Sequence, residues 1–264
     1  METSRRGFLG VGAAAAGGVL LGRQAGAAPA SPALPSGKKP LVVVWSEGTA
    51  PKNVYPDDIN GMIVEGLKKD LPKWDVFKAN LSDPEQGLPD AILAKAWVLI
   101  WWGHQKHGDV KDELVDRVCK RVKEEGMGFI SLHSSHFAKP NKKLMNDECT
   151  WKEYVCDVTK LKVQTKLPKH PIAAGLPKEF EFVHEERYTE PYKVPESQEV
   201  VFEGDHVKKN GQLDHSRVGM CWTIGKGKFF YFQGGHESSA VYGDPFVQKI
   251  MANAVNWCSP KTVM

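Results

Sequence analysis

Histidines collect at the ends of short apolar segments in this 264-residue sequence. Five of the nine follow such a segment directly or within one loop: His104, His107, His133, His136 and His236. Two carboxylates have a similar setting, Glu47 after a run of valines and Glu237 beside His236. Neutral imidazoles combined with a carboxylate can bind zinc or a similar divalent ion. An imidazole that is oriented by a carboxylate can instead act as a general base.

Both chemistries remain open at the level of the sequence. For the metal, we predict a divalent ion, most plausibly zinc, on His104, His133 and His136. The spacing His133-x-x-His136 does not identify a zinc site, because the two residues leave a strand into a loop and do not share a helix face. Without metal, His236 would be the general base, and Glu237 or Glu47 would orient it.

Aromatic and hydroxyl side chains beside these histidines are candidates for substrate contacts. Trp101 and Trp102 form a pair in which one ring belongs to the core and the other can shape a pocket, since aromatic faces suit sugar rings. Ser134 follows His133 but lacks a G-x-S-x-G context, which argues against a serine hydrolase. We predict substrate-binding roles for Trp102, His107 and Ser134.

The elements that position these residues alternate between strands and helices. Strands are predicted at 41–45, 74–79, 96–102 and 127–132, and helices at 59–71, 88–94 and 109–125, with Gly126 as a stop. Further strands are predicted at 180–183, 199–202, 218–223 and 228–232, before a closing helix at 246–257. This alternation is typical of a parallel sheet, whose strands share one carboxyl edge where sites form.

The N-terminus has a different composition from the rest of the chain. Arg5 and Arg6 precede the apolar run 11–21 and the small residues 25–27, a pattern that predicts a twin-arginine export signal over 1–28. An uncleaved anchor is the alternative. Residues 29–39 are predicted as a flexible linker and 40–260 as one domain, located in the periplasm or secreted after cleavage. Without residues 1–28 the chain has 32 basic and 31 acidic side chains, a balance that argues against nucleic-acid binding.

The five cysteines form no CxxC pattern, and their odd number leaves at least one without an intrachain partner. Buried free thiols are favoured, and a Cys149–Cys156 bridge is the alternative.

Several motifs follow one another in the order of a known family. They are Trp101-Trp102-Gly103-His104-x-x-His107, Gly128-Phe129-Ile130-x-Leu132-His133-Ser134-Ser135-His136, His184-Glu185-Glu186-x-Tyr188, Gly227-Lys228-x-Phe230-Tyr231-Phe232 and Gly235-His236-Glu237. Over residues 40–258 the sequence resembles the ThuA-like (trehalose utilisation) family. The resemblance implies an α/β fold, a flavodoxin-like three-layer sandwich with a mostly parallel central sheet, as in the class I glutamine amidotransferase-like superfamily.

The resemblance also bears on the reaction. Amidotransferases place a cysteine at the turn after a central strand, where this chain has His133-Ser134-Ser135, so glutamine hydrolysis by a thiolate is not expected. The family is associated with disaccharide catabolism through 3-keto sugars. We therefore expect a carbohydrate-processing enzyme whose catalytic residues are His236, Glu237, His133, Glu47 and Glu186, with Tyr188 as a further substrate contact.

The expected partners are a small sugar substrate and the twin-arginine export machinery. No nucleotide cofactor and no nucleic acid are expected, and a homo-oligomer is left open. The rival class is a non-catalytic sugar-binding or accessory protein with a degenerate amidotransferase-like site.

Overall fold

The computed structural model describes residues 39–261, which contain eleven strands and five α-helices. The strands are β1 (Leu41–Ser46), β2 (Asp75–Asn80), β3 (Ala96–Trp102), β4 (Gly128–Leu132), β5 (Glu153–Val155), β6 (Val158–Thr165), β7 (Glu179–Val183), β8 (Arg187–Thr189), β9 (Glu199–Lys208), β10 (Leu213–Ile224) and β11 (Gly227–Phe232). The helices are α1 (Asp58–Asp70), α2 (Asp90–Leu93), α3 (Asp112–Glu125), α4 (Lys139–Met145) and α5 (Pro245–Cys258).

Within the described residues, one sheet joins nine of these strands in the order β2-β1-β3-β4-β11-β10-β9-β6-β7. The first five strands run parallel to one another. β1 and β4 are buried along their whole length, as expected for continuous apolar strands that are covered on both faces. The predicted flavodoxin-like α/β sandwich is confirmed.

Helices cover both faces of the parallel half. Residues of β1 alternate between two cores: Val42 and Val44 pack in the core that includes α1 and α5, whereas Val43 and Trp45 pack in the core that includes α3 and α4. This alternation follows from the two-residue repeat of a strand. α3 ends at Gly126, whose φ of 81° is left-handed, so the predicted stop signal is confirmed.

The antiparallel half extends the sheet beyond β11. Each strand here is antiparallel to its neighbour: β10 pairs with β11, β9 with β10, β6 with β9, and β7 with β6. β5 and β8 form a separate two-stranded sheet. The sequence prediction missed β5, β6 and β8 and made β9 and β10 too short. The lysine-rich run Lys139–Lys143 predicts a solvated loop. It instead lies in α4, where Leu144 and Met145 are buried against the core.

The predicted export signal at 1–28 lies outside the described residues, as does the linker at 29–39 apart from Lys39. Among the described helices, none is long and apolar enough to cross a membrane. All five cysteines are free thiols, so the alternative Cys149–Cys156 bridge is absent. Four of them are buried and only Cys156 is exposed.

Candidate functional site: a histidine and carboxylate cluster

The cluster forms where two neighbouring strands end. β4 and β11 pair in parallel, with Leu132 opposite Phe232. The chain therefore leaves both strands at the same edge, with His133 following β4 and Gln233 following β11. This is the carboxyl edge at which parallel sheets place their sites. The register of β4 and β11 thus brings together residues that are 100 positions apart in the sequence.

His133 occupies a sharp turn directly after β4. Its φ is 50°, in the left-handed region, which costs a non-glycine residue on the order of 1 kcal/mol or more and points to a functional position. The ring is fully buried, and Nδ1 lies 2.7 Å from the carbonyl oxygen of Gln233. The His133 carbonyl accepts a hydrogen bond from the Tyr231 hydroxyl at 2.9 Å. The turn is thus held from both the backbone and the ring.

The other nitrogen of His133 faces two oxygen atoms. Nε2 lies 2.9 Å from Glu186 Oε2 and 2.8 Å from the Tyr188 hydroxyl, and the Tyr188 ring stacks on the imidazole. Burial raises the pKa of Glu186, but the hydrogen bond with His133 and the charges of His133 and His236 outweigh burial and lower that pKa to about 2. Glu186 is therefore ionised at neutral pH.

His236 lies between two carboxylates. Its Nε2 is 3.9 Å from Glu186 Oε2 and 3.8 Å from Glu237 Oε2. On the opposite side of the ring, Nδ1 is 2.6 Å from the Ser238 hydroxyl, and that hydroxyl donates to Glu185. Burial, reinforced by the neighbouring His133, lowers the pKa of His236. At neutral pH its ring is a base that has not yet taken a second proton.

His104 completes the cluster on the more exposed side. Its Nε2 lies 3.2 Å from Glu237 Oε1, and 27% of the side chain is accessible. Glu237 Oε2 and His104 Nδ1 are buried atoms without a hydrogen-bond partner among the described residues. This pair therefore has unused donor and acceptor capacity, which distinguishes it from the saturated His133.

Two overlapping groups can hold a cation. One consists of His133, Glu186 and His236, and the other of His104, His236 and Glu237; in each, the ligand atoms lie within 4.8 Å of one another. The same alternation of imidazole and carboxylate can move a proton. The geometry thus supports both chemistries that the sequence left open, with His236 common to the two.

The predicted metal trio of His104, His133 and His136 needs correction. His104 and His133 each pair with a carboxylate and His236, and His136 joins neither group. His136 is fully buried, its Nδ1 lies 2.9 Å from the His133 carbonyl, and burial lowers its pKa to about 3. Its ring supports the turn at His133 from behind.

Glu47 also has a different role from the predicted catalytic one. Its carboxylate accepts hydrogen bonds from the Thr49 hydroxyl and the Gln105 amide, both at 2.6 Å, and from the Lys106 amide at 2.9 Å. Burial raises the pKa of Glu47, but these hydrogen bonds together lower it. Glu47 anchors the loop that carries His104, so we assign it to positioning.

Two of the predicted substrate contacts are engaged within the protein. Trp102 is fully buried, and its Nε1 donates to the Gly235 carbonyl at 3.2 Å, so its ring supports the His236 loop and has no face for a sugar. The Ser134 hydroxyl donates to the Gly103 carbonyl at 2.9 Å. That bond leaves the hydroxyl proton committed and argues against a nucleophile.

The other two predicted substrate contacts differ from each other. Tyr188 belongs to the cluster through His133, although only 1% of it is exposed. His107 is partly buried, burial lowers its pKa, and both ring nitrogens lack partners among the described residues. A substrate-binding role for His107 remains a prediction.

Sequence reasoning missed the residues that orient the cluster. The Gln233 carbonyl contacts His133, the Ser238 hydroxyl contacts His236, and Glu185 accepts a hydrogen bond from Ser238. Glu185 and Ser238 were adjacent to predicted site residues, which was the available signal. Their mutual contact spans 53 residues, and no local pattern predicts such a contact.

Comparison with known proteins gives one family. The family model described as "ThuA: Trehalose utilisation" matches residues 42–258. The search of curated proteins found no match.

Solved structures show the same fold at low sequence identity. A ThuA-like protein from Parabacteroides merdae has a TM-score of 0.59 at 10% identity, over 84% of this chain and 90% of that one. A ThuA-like protein from Bacteroides uniformis has a TM-score of 0.58 at 18% identity, over 88% and 95%. A cytoplasmic protein from Salmonella typhimurium has a TM-score of 0.60 at 12% identity, over 83% and 99%.

Proposed function

We propose, on the premise that this chain belongs to the ThuA (trehalose utilisation) family, that it is an exported enzyme of carbohydrate catabolism. Its substrates would be disaccharides or their 3-keto derivatives, and its reaction a proton transfer next to a carbonyl. The family description supports the carbohydrate class, and the cluster at the sheet edge supports the chemistry.

The observation that carries this proposal is a row of five side chains in which imidazoles and carboxylates alternate. The sequence of side chains in space is His133, Glu186, His236, Glu237 and His104, with successive closest distances of 2.9, 3.9, 3.8 and 3.2 Å. Proton transfer requires a base and an acid within hydrogen-bond reach of neighbouring substrate atoms. This row offers such pairs along one edge.

The residues of the row would divide the work on a keto sugar. His236 or Glu237 would take the proton from the carbon beside the carbonyl, while a protonated neighbour would give a proton to the carbonyl oxygen, forming an enediol. Return of a proton to the former carbonyl carbon, with loss of the proton from the hydroxyl on the neighbouring carbon, gives an isomer. Expulsion of the glycosidic oxygen, which receives a proton as it leaves, gives elimination instead. Either route is balanced and needs no oxidant.

Nucleophilic routes have less support in the structure. The turn after β4 holds His133, Ser134 and Ser135, and both serine hydroxyls donate to backbone carbonyls. No cysteine stands at that turn. Thiolate chemistry of the amidotransferase type is therefore not part of the proposal.

Turnover of 3-keto sugars tests the proposal directly. The purified protein is incubated with 3-keto-trehalose, other 3-keto-disaccharides and the parent sugars in D₂O, and NMR follows both product and deuterium incorporation beside the carbonyl. We expect deuterium exchange in the wild type and its loss in Glu237→Gln, with His215→Asn as a matched control because His215 is an exposed histidine paired with Asp205. Binding without exchange or product would overturn the enzyme and favour the accessory sugar-binding protein.

Export is proposed from the sequence of residues 1–28 alone. Replacement of Arg5 and Arg6 by lysine is expected to retain the protein in the cytoplasm, and cell fractionation measures the distribution. An unchanged distribution would reject the twin-arginine route.

A further inference from the structure

We propose that His133, Glu186 and His236 form a zinc site, and that the His104–Glu237 pair beside it remains free for proton transfer. This assignment rests on the proposed function only for the second role; the zinc site itself stands on the arrangement of donors. A site with two imidazoles, one carboxylate and an open position matches catalytic zinc.

The first argument is a mismatch between His133 and Glu186. Nδ1 of His133 lies 2.7 Å from a carbonyl oxygen, which only accepts, so Nδ1 carries the ring proton. The lone pair of Nε2 then points at Glu186 Oε2 across 2.9 Å. Glu186 is an ionised acceptor. Zinc binds imidazole nitrogen and carboxylate oxygen at about 2.0–2.2 Å, so two such atoms about 3 Å apart can share one ion.

The second argument concerns the other ring. Nδ1 of His236 lies 2.6 Å from the Ser238 hydroxyl, whose own proton goes to Glu185. The Ser238 amide N–H also points at Nδ1, at 3.3 Å. We assign the proton to Nδ1 because the hydroxyl contact is the shorter one and the hydroxyl proton is already given to Glu185. The Nε2 lone pair is then bare and faces Glu186 at 3.9 Å.

The hydrogen bonds at the Nδ1 atoms of His133 and His236 are of the kind that metal-bound histidines make. A ligating histidine donates its second ring N–H to a carbonyl or to a hydrogen-bonded oxygen, which fixes its tautomer and direction. His133 has Gln233 in that role, and His236 has Ser238 backed by Glu185. The Tyr188 hydroxyl has Glu186 as an alternative acceptor, so it can yield Nε2 of His133.

The geometry also selects one of the two overlapping groups. Both groups use Nε2 of His236, and one lone pair serves one ion, so the two sites exclude each other. The group with His133 is the more buried, and both of its rings have their second nitrogen engaged. His104 has no partner for Nδ1 among the described residues, so its ring direction is not fixed in this way.

Zinc binding to the full chain, stripped with a chelator, tests the assignment without any substrate. Isothermal titration with Zn²⁺ is compared for the wild type, two inner variants (His133→Asn, Glu186→Gln), two outer variants (His104→Asn, Glu237→Gln) and the control His215→Asn. We expect the inner variants to bind zinc at least ~100-fold more weakly than the wild type. The outer variants and the control should stay within ~10-fold, which is the smallest effect expected for residues that only surround the ligands. Asparagine is chosen at position 133 because it tolerates a left-handed backbone.

If an inner variant does not fold, X-ray absorption of the zinc-loaded His104→Asn variant decides, because only the group with His133 then keeps two histidines. Two imidazole nitrogens at about 2.0–2.1 Å support the site, and fewer than two overturn it. Loss of binding in the outer variants with retention in the inner ones also overturns it, as does a wild type that binds no zinc. An active enzyme without zinc binding would reject this site and leave the proposed function standing; zinc binding without turnover would do the reverse.

Discussion

The two ends of the cluster differ in how firmly they are held. The inner pair, His133 and Glu186, has a fully buried histidine that is fixed by the Gln233 carbonyl and stacked on Tyr188. In the outer pair, His104 keeps 27% of its side chain accessible and lies on a loop that Glu47 anchors. Both pairs meet at His236.

This difference separates two tasks that catalysis requires. A binding or cation-holding group benefits from a fixed direction, because misplacement of a ligand costs affinity. A proton-transferring group needs unused hydrogen-bonding capacity, which Glu237 Oε2 and His104 Nδ1 have, and access to substrate, which the 27% accessible His104 side chain has. Histidines and carboxylates of one cluster can therefore divide into a pair that holds a ligand and a pair that transfers protons.

The largest effect is expected at the inner pair. Glu186→Gln removes the charge that His133 faces at 2.9 Å, so kcat/KM for a keto sugar should fall by a factor on the order of a thousand. Stability of the zinc-loaded protein should also fall, by roughly 3 kcal/mol, because the bound cation loses its buried carboxylate partner. Steady-state kinetics and urea unfolding measure the two. A Glu186→Gln variant with kcat/KM and unfolding free energy near wild type would show that the inner pair contributes to neither activity nor stability.

The outer pair should lose activity without losing stability. Glu237→Gln and His104→Asn are expected to lower kcat by roughly a hundredfold. Unfolding free energies should stay within about 0.5 kcal/mol of wild type, because His104 is 27% accessible and Glu237 Oε2 has no hydrogen-bond partner to lose among the described residues. Kinetics and unfolding on the same samples test this. Equal stability losses at both ends of the cluster would erase the distinction between them.

Glu47 allows the mobility of the outer pair to be tuned. Glu47→Gln cannot accept all of the hydrogen bonds from Thr49, Gln105 and Lys106, so stability should fall by about 1–3 kcal/mol. We expect kcat/KM to fall by about tenfold or less, because the loop that carries His104 becomes more mobile. Amide exchange at Gln105 and Lys106 should accelerate, while the amides of β4 keep their protection. Unchanged exchange would contradict the anchoring role.

The smallest effect on activity is expected at His206, which is buried behind the cluster, with Nε2 3.0 Å from the Ser216 hydroxyl and its ring 5.5 Å from that of His184. Burial, against the hydrogen bond to Gln233 and the nearby charges of Asp214, Arg187 and Asp205, lowers its pKa to about 4. The unfolded chain then takes up this proton first, so folding stability falls as pH falls from about 6.5 to 4, by up to about 3 kcal/mol.

His206→Gln removes this titration. Its unfolding free energy should depend less steeply on pH in that window, by about 1.4 kcal/mol per pH unit, with activity at neutral pH unchanged. Urea unfolding at several pH values measures the slope, and the exposed His215→Gln is the control. A wild-type slope in the His206 variant would disprove the assignment.

Most strands of the parallel half were predictable because β1, β3 and β4 are apolar and continuous. β3 was predicted with the observed bounds, since Ala96–Trp102 has no polar interruption. β6 was missed because Val158–Thr165 alternates buried residues with lysines and a glutamine, and its buried residues become visible only when β9 and β7 pair with it. β9 was cut short at Phe202, before the polar residues that continue its ladder.

The candidate site was predictable in its location and less so in its roles. Strand ends correctly indicated where His133 and His236 meet. They could not indicate side-chain direction in the following loops, so Glu47 and His136, which turn toward the backbone, were assigned as catalyst and ligand. The direction of these side chains depends on contacts between segments that are distant in the sequence.

The pairing of β11 with β4 has a consequence for the order of events in folding. His133 and the loop with His236 approach each other only through this ladder, which joins distant stretches of the chain and is expected to form slowly. A chain in which β11 has not docked therefore has no site, even if β1, β3 and β4 are already paired. Recovery of activity after denaturation would report completion of the central sheet.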